Sequence, residues 1–357
     1  MNKMNIAIIS YGRGGMLHYA LDLASILERE NNISLFTTED VSEYLITDRI
    51  KIIKDVNLKK FNSAKQVLEQ YPNFDIYHFT AFHPSLYSLI FKKRKNTQKI
   101  VFTIHDCNLH SYNFSLKRLL ISIVYGKIFM RIILCKIREV ICLSSYVAGQ
   151  VNQKHGINPY IVRLPNYADK FKSRFTLQKN IEKSKINILL FGGIEKYKGI
   201  DKVIALINYV DENNIPNIQF TIAGRISKAY TGVFEKLKNT KIYDRYILDS
   251  EIDMFFSNAD FLIAPYDEVS QSGVVSLALD FNVPIIASDI GSFSEYIKPE
   301  NGALLIKMSP ESILNAIEEI TEVKKDYVEN KELHKSAQFK KYNDIYECII
   351  KKTNETY

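Results

Sequence analysis

Short apolar runs alternate with longer stretches of helical periodicity along most of the chain. The first run, Asn5–Ser10, is followed by a glycine turn and then by a helical pattern over His18–Arg29. Buried strands separated by amphipathic helices are typical of α/β folds with a parallel sheet. The same reading predicts further strands at Ile33–Thr37, Asp75–Phe79, Ile100–Ile104, Val140–Ser144 and Tyr160–Arg163.

The alternation restarts after a polar, lysine-rich stretch over Asp169–Lys185. A strand at Ile186–Phe191, a glycine-bearing loop at Gly192–Gly199 and a helix at Asp201–Val210 open the second series. Later strands are predicted at Ile218–Ala223, Phe261–Ala264 and Pro284–Ala287, with helices at Glu251–Ser257 and Ser272–Leu279. We predict two Rossmann-like domains, 1–168 and 169–335, and a C-terminal helix in 336–357. Such domains bind ligands at the carboxyl ends of their strands, so we expect the site in a cleft where the two domains face each other.

Length and composition agree with this division. The chain has 357 residues, and 46% of them are hydrophobic, which excludes a disordered protein. No signal peptide is apparent at the start, and the apolar stretch Leu119–Cys135 is interrupted by Lys127 and Arg131. The four cysteines show no metal-site spacing, which suits a reducing compartment. We therefore expect a cytoplasmic protein.

The charge is unevenly distributed. Residues 1–175 carry 25 Lys and Arg against 13 Asp and Glu, whereas the remainder carries 22 against 27, within a net charge of +7. A basic N-terminal half indicates an anionic partner. No zinc-finger, helix-turn-helix or RNP pattern favours nucleic acid. The segment 116–138 combines apolar residues with six basic residues and no acidic one, and it is a candidate for docking on an anionic membrane surface. Core-packed helices with outward lysines are the alternative.

Three loops and one strand end carry candidate chemistry. The turn Gly12–Gly15 lies between a strand and a helix, where backbone amides can approach a phosphate. A dinucleotide fingerprint is the competing interpretation, but Leu17 occupies its third glycine position. A tight turn without a ligand is the other alternative.

The loop Phe191–Asp201 places Gly193, Lys196 and Lys198 before a helix, which suits a diphosphate. It lacks the order of a nucleoside-triphosphatase loop. Solvated lysines without a ligand are the alternative for this loop.

The loop Pro265–Val275 opens a helix at Ser270–Gly273, and the free amides of Gly273 and Val274 could face an anion. An ordinary capped helix is the alternative. With Lys198, this helix start predicts a two-sided clamp on a pyrophosphate. The strand Ile100–Ile104 ends at His105 and Asp106, which indicates a polar site that faces a ligand. A structural histidine is the alternative.

These segments together resemble the retaining family 4 glycosyltransferases of the GT-B fold. The resemblance runs in order through Gly14–Gly15, Thr103–Asp106, Val140–Ser145, Phe191–Asp201, Pro265–Val275 and Pro284–Glu295. It implies two Rossmann-like domains, a nucleoside-diphosphate sugar held mainly by the second, an acceptor held mainly by the first, and transfer without a metal ion or cofactor. It also implies that the C-terminal helix, predicted at Gln338–Lys351, returns to the first domain.

The resemblance assigns roles to particular residues. Lys198 and the Ser272–Val274 amides would stabilise the departing phosphate, and His105 and Glu268 would orient the sugar. The predicted catalytic residues are Lys198 and His105; the predicted donor-binding residues are Gly14, Gly15, Gly193, Arg225, Glu268, Ser270, Gln271, Ser272, Gly273 and Val274.

Two departures from the family pattern bear on the donor. Relatives usually have arginine where this chain has Gly193, and Arg225 is the nearest substitute. The glutamate pair that flanks the phosphate helix falls on Val269 and Leu277, with Glu268 adjacent. Altered donor recognition is the interpretation we favour. A catalytically silent subunit that binds a partner transferase, and a nicotinamide-dependent dehydrogenase, remain the alternatives.

Overall fold

The computed structural model describes residues 3–12, 14–42, 44, 46–90, 99–106, 130–163, 185–234, 237–323 and 335–355. By its contacts the chain divides into two units. The first comprises Met1–Pro165 together with Asn330–Tyr357, and the second comprises Asn166–Glu329. The boundary predicted after residue 168 lies outside the described residues. The segment predicted to start at residue 336 is part of a helix that belongs to the first unit.

The first unit contains a seven-stranded sheet in the order β3-β2-β1-β4-β5-β6-β7, with every pairing parallel. Its strands are β1 (Asn5–Ile9), β2 (Asn32–Phe36), β3 (Ile50–Ile53), β4 (Ile76–Phe79), β5 (Ile100–Ile104), β6 (Glu139–Cys142) and β7 (Tyr160–Ile161). β4 and β5 are buried at every residue, as expected for strands that helices cover on both faces.

The second unit contains a six-stranded parallel sheet in the order β10-β9-β8-β11-β12-β13. Its strands are β8 (Ile186–Phe191), β9 (Ile218–Ala223), β10 (Thr240–Tyr243), β11 (Phe261–Ala264), β12 (Ile285–Ser288) and β13 (Gly302–Leu305). This order is the doubly wound order of Rossmann folds. The predicted α/β class with two Rossmann-like domains is therefore confirmed.

The helices are α1 (Gly15–Leu27), α2 (Ser63–Gln70), α3 (Met130–Lys136), α4 (Ser145–His155), α5 (Ile200–Glu212), α6 (Ile252–Ser257), α7 (Gly273–Asp280), α8 (Phe293–Tyr296), α9 (Pro310–Val323) and α10 (Lys335–Glu355). The prediction that α1 begins at His18 is wrong, because the helix starts at Gly15, directly after the glycine turn. Within the described ranges, no helix has the length and apolarity that a membrane span requires.

Gly199 allows two loops of the second unit to touch. It has φ +71°, in the left-handed region, and a Cβ placed on it would lie 1.9 Å from the carbonyl oxygen of Pro265. Any other residue here would force the β8–α5 loop away from the β11–α7 loop. The close approach of these loops therefore depends on a residue without a side chain.

We predict that Gly199→Ala lowers the melting temperature several degrees more than Gly232→Ala does. Gly232 has a similar φ of +76°, but a Cβ placed on it would have nothing within 4 Å, so its substitution measures backbone strain alone. Overpacking against Pro265 should add roughly 1–3 kcal/mol. Scanning calorimetry of both variants checks this, and equal shifts would contradict the steric explanation.

Candidate functional site

The carboxyl edge of the second sheet offers the clearest site. β8 lies beside both β9 and β11, so the chain order reverses at β8. Loops diverge at such a switch point and leave room for a ligand. Here they are Gly192–Gly199 and Pro265–Ser272, the two loops from which the sequence predicts a clamp.

Lys198 is buried at this edge. A short 3₁₀ turn, Lys196–Lys198, turns its side chain inward, and only 6% of the residue is exposed. Nζ donates to the carbonyl oxygen of Phe191 at 3.4 Å and lies 5.5 Å from the centre of the Tyr266 ring. None of the ion pairs in the described part of the chain involves this amine. The long carbonyl contact and the ring leave the cation poorly compensated.

Burial lowers the pKa of Lys198, and the nearby Tyr197 and Glu195 only partly oppose this shift. A lowered pKa means that the surroundings disfavour the ammonium form relative to water. An anion bound beside Nζ would remove part of that cost. The site is therefore electrostatically prepared for an anionic ligand.

Tyr266 connects the lysine to the helix that follows. Its hydroxyl lies 3.4 Å from Ser272 Oγ, and burial raises its pKa to about 12, so the phenol is neutral. Ser272 caps α7, because its Oγ accepts the backbone N–H of Val275 at 3.3 Å. The first amides of α7, at Gly273 and Val274, have no intrahelical partner and carry the positive end of the helix dipole.

The start of α7 lies next to the lysine. A Cβ placed on Gly192 would lie 2.9 Å from Lys198 Nζ and 3.3 Å from Val274 Cγ2. The structure thus brings together residues from two separate sequence motifs. A buried cation and a free helix N-terminus beside a glycine are groups that can bind a phosphate.

Hydrogen bonds hold the two loops in register. The backbone N–H of Asp267 donates to Tyr197 O at 2.7 Å, and Lys202 Nζ contacts both Pro265 O at 3.0 Å and Asp267 Oδ1 at 2.7 Å. Lys202 is therefore neutralised by Asp267 and stabilises the loop, whereas Lys198 retains its charge for a ligand.

The other predicted donor-binding residues of this unit surround the same loops. Gly193 and Arg225 are exposed, and Ile194 N donates to Arg225 O at 2.9 Å, which keeps the loops after β8 and β9 adjacent. Ser270 is buried, and Glu268 and Gln271 are partly exposed. Nε2 of Gln271 is sealed from solvent and has no hydrogen-bond partner among the described residues.

Val269 and Leu277, where relatives have glutamates, are each 8% exposed. Apolar side chains thus occupy both positions, and neither can bind a hydroxyl group. This agrees with the departure seen in the sequence.

The first unit carries the remaining predicted residues. Gly14 immediately precedes α1 with φ 64°, and Gly15 is the first residue of that helix. His105 follows β5, and its Nε2–H donates to the carbonyl oxygen of Thr80 at 2.7 Å. Burial lowers the pKa of His105, although the Thr80 carbonyl and the charge of Asp106 oppose the shift.

This geometry defines the tautomer of His105. A carbonyl oxygen can only accept, so Nε2 carries the proton, and the neutral ring keeps a lone pair on Nδ1. That nitrogen has no partner among the residues that the structure describes. His105 is therefore arranged to accept a hydrogen bond from a ligand hydroxyl.

Sequence reasoning misses one residue of this site. The sequence does not single out Tyr266, although its place between a strand end and a capping serine is a usable signal. His78 is a further candidate from the sequence, with weaker context than His105, and it belongs to a buried hydrogen-bond chain that includes Tyr19 and Tyr346. In the described ranges, no cluster of three or more His, Cys, Asp or Glu could hold a metal ion.

Comparisons with known proteins identify the family. Residues 172–342 match the family described as glycosyl transferases group 1, and residues 13–170 match the glycosyltransferase family 4 domain. Together the two matches extend over nearly the whole chain. The chain is a GT-B glycosyltransferase.

Relatives and solved structures agree with that assignment. An uncharacterized 41.2 kDa protein in the cps region of Klebsiella pneumoniae is 24% identical over 301 residues, covering 78% of this chain and 80% of the relative. HepE from Anabaena, solved with UDP-glucose, superposes with a TM-score of 0.65 at 14% identity over 99% of both chains. The catalytic domain of starch synthase IV from Arabidopsis thaliana, bound to ADP and acarbose, gives 0.71 at 12% identity over 98% of this chain and 100% of that one. At identities of 14% and 12%, these two solved structures support only the fold of this chain and say nothing of its substrates.

Proposed function

We propose that this glycosyltransferase moves a sugar, with retention of configuration, from a nucleoside-diphosphate sugar to a glycan or lipid-linked glycan during surface polysaccharide synthesis. The observation that carries the proposal is the buried ammonium of Lys198 beside the free N-terminus of α7. The cps-region location of the Klebsiella relative supports the polysaccharide assignment, and the UDP-glucose in HepE supports the donor class.

The reaction exchanges one bond at the anomeric carbon. The bond to the diphosphate oxygen breaks, a bond to the acceptor oxygen forms on the same face, and the acceptor's proton passes to the departing diphosphate. Negative charge grows on that diphosphate in the transition state. Preorganised cations and amides stabilise such charge without reorganisation. We assign this role to Lys198 and to the amides of Gly273 and Val274.

Further residues of each unit complete the assignment. In the second unit, Gly193 permits close approach of the diphosphate, Arg225 supplies an exposed cation, and Glu268, Ser270, Gln271 and Ser272 line the loop before α7. In the first unit, we assign Gly14 and Gly15, at the start of α1, to donor binding, and we assign His105 Nδ1 to accepting a hydrogen bond from a sugar hydroxyl. Because cationic and amide groups supply the charge compensation, we expect transfer without a metal ion, so that EDTA leaves turnover unchanged.

Lys198→Met tests the assignment. Without ligand, we expect the melting temperature to stay the same or rise, because an apolar chain of similar length replaces a buried cation that has no ion pair among the described residues. We expect the stabilisation by UDP, ADP or GDP in thermal-shift assays to disappear. Donor turnover should fall at least tenfold, or about 1.4 kcal/mol of transition-state stabilisation.

Lys202→Met is the matched control, because its charge is already paired with Asp267. We expect it to retain the nucleotide-dependent shift. If Lys198→Met keeps full kcat/KM, the lysine is not part of the site. If the unmodified protein binds a nucleoside diphosphate but neither transfers nor hydrolyses any donor, the silent-subunit alternative replaces the proposal.

We also propose that the protein associates with the cytoplasmic face of an anionic membrane through residues 116–138. Residues 116–129 of this segment lie outside the described ranges. In the described part, α3 buries Ile133 and Leu134 but leaves Arg131 exposed, with Ile132 37% exposed. Its outer surface thus combines a cation with an apolar side chain, as interfacial helices do.

Co-sedimentation with vesicles of neutral or phosphatidylglycerol-containing lipid tests this docking. We expect binding to rise with anionic lipid, to fall in high salt, and to weaken in a Lys127→Gln, Arg131→Gln variant by about 1 kcal/mol per charge removed. Lys59→Gln, Lys60→Gln removes the same charge from another exposed surface of the first unit and should bind normally. Binding that does not depend on anionic lipid would contradict the membrane proposal.

A further inference from the structure

A chain of hydrogen bonds runs through the interior of the first unit. Tyr346 Oη lies 2.5 Å from His78 Nδ1, and His78 Nε2 lies 2.6 Å from Thr103 Oγ1. Thr103 Oγ1 in turn lies 3.1 Å from Tyr19 Oη, which lies 2.9 Å from Tyr342 Oη. Each of the five residues is 0% exposed. The chain therefore begins and ends on α10, the C-terminal helix, and passes through the sheet and α1 between.

The chain has five protons for its four hydrogen bonds. Burial, and secondarily the electrostatic effect of the nearby His105, lower the pKa of His78 to about 3, so its ring is neutral and carries one proton. With one N–H and four hydroxyls, all four bonds are satisfied when the protons align in one direction, and the proton of the last hydroxyl lies outside the chain. Each internal group then donates once and accepts once. Loss of any hydroxyl leaves a buried partner unsatisfied, which polar interiors strongly disfavour.

The same residues hold His105. Thr103 lies on β5 two residues before His105, which follows the strand. His78 lies on the neighbouring β4, where it pairs with Val101, so the side chains of His78 and Thr103 share one face of the sheet. Tyr19 packs edge-on against the His105 ring, with centroids 5.1 Å apart and an interplanar angle of 89°. The carbonyl of Thr80 fixes its N–H. The His105 ring and one of its nitrogens are thus in contact with groups that belong to, or adjoin, the buried chain.

We propose that Tyr19 and Tyr342 are positioning residues: the C-terminal helix fixes the Tyr19 ring through the Tyr342 hydroxyl, and Tyr19 fixes the orientation of His105. The helix thereby sets the direction of the Nδ1 lone pair. The expected loss of turnover rests on the proposed function of His105. The expected change in the orientation of the His105 ring does not rest on that function.

Tyr342→Phe and Tyr19→Phe test the proposal, because each removes one oxygen and leaves the ring in place. The helix keeps other attachments, such as the hydrogen bond from Asn31 Nδ2 to Asn343 Oδ1 at 3.3 Å, so we expect both variants to fold. NMR of the full chain labelled with ¹⁵N-histidine reports the tautomer and pKa of His105, and His105→Gln identifies its signals.

In the unmodified protein we expect the Nε2–H tautomer and a pKa below 6.5. In both variants we expect a mixture of tautomers and a pKa that moves towards the ordinary value. The kcat for donor turnover should fall roughly threefold or more while donor KM stays the same, because a catalytic group is misoriented and donor contacts are intact. Thr103→Ser should preserve these properties and Thr103→Val should lose them.

Tyr77→Phe is the matched control. Tyr77 also lies on β4, is buried, and donates its hydroxyl to the carbonyl oxygen of Tyr71, but it has no connection to His105. We expect it to lower the melting temperature while leaving the His105 signals and kcat unchanged. If Tyr342→Phe and Tyr19→Phe behave like Tyr77→Phe, the hydrogen-bond chain is only structural and the proposal is wrong.

The experiment separates this inference from the proposed function. If His105→Ala turns over donor normally, His105 has no catalytic role, yet the NMR comparison still decides whether the tyrosines position its ring. If the NMR signals of His105 are unmoved but His105→Ala is inactive, the catalytic role stands and the positioning role fails.

Discussion

A lysine ammonium that is withdrawn from water, and that forms no ion pair with a described carboxylate, is the constraint on which the second unit depends. Lys198 can occupy its position only because Gly192 leaves room for Nζ and Gly199 turns the chain against Pro265. Tyr266 then places a ring under the ammonium and a hydroxyl beside the cap of α7. Lysine ammonium groups are ordinarily exposed to water or paired with a carboxylate. A buried ammonium without such a pair, next to a free helix N-terminus, is what a diphosphate-binding site requires.

The interior of the first unit contains several buried polar side chains. A neutral histidine and three tyrosine hydroxyls lie together in its interior, and they avoid an energetic penalty because their protons form one continuous sequence of bonds. That chain connects the last helix to β4, β5 and α1. The C-terminal residues thereby become part of the interior that supports His105.

Much of the architecture could be predicted from the sequence, and the missed strands have a common cause. β1, β5, β8, β9 and β11 are close to their predicted positions because buried parallel strands appear as continuous apolar runs. The three missed strands, β3, β10 and β13, all lie at sheet edges. Edge strands are half exposed, so sequences such as Thr240–Tyr243 mix polar and apolar residues without a clear period. The two site loops could be predicted from their glycines and lysines, but the burial of Lys198 could not, because it depends on Tyr266 and on a contact between two loops.

The pKa of the Lys198 amine tests the central claim most directly. It can be followed by NMR of protein labelled at lysine ¹³Cε, with Lys198→Met to identify the signal and inorganic pyrophosphate as the ligand. The account predicts a pKa below the ordinary value of 10.5 in the free protein and a rise when pyrophosphate binds. A lysine that titrates at its ordinary value, and whose pKa pyrophosphate does not change, would contradict it.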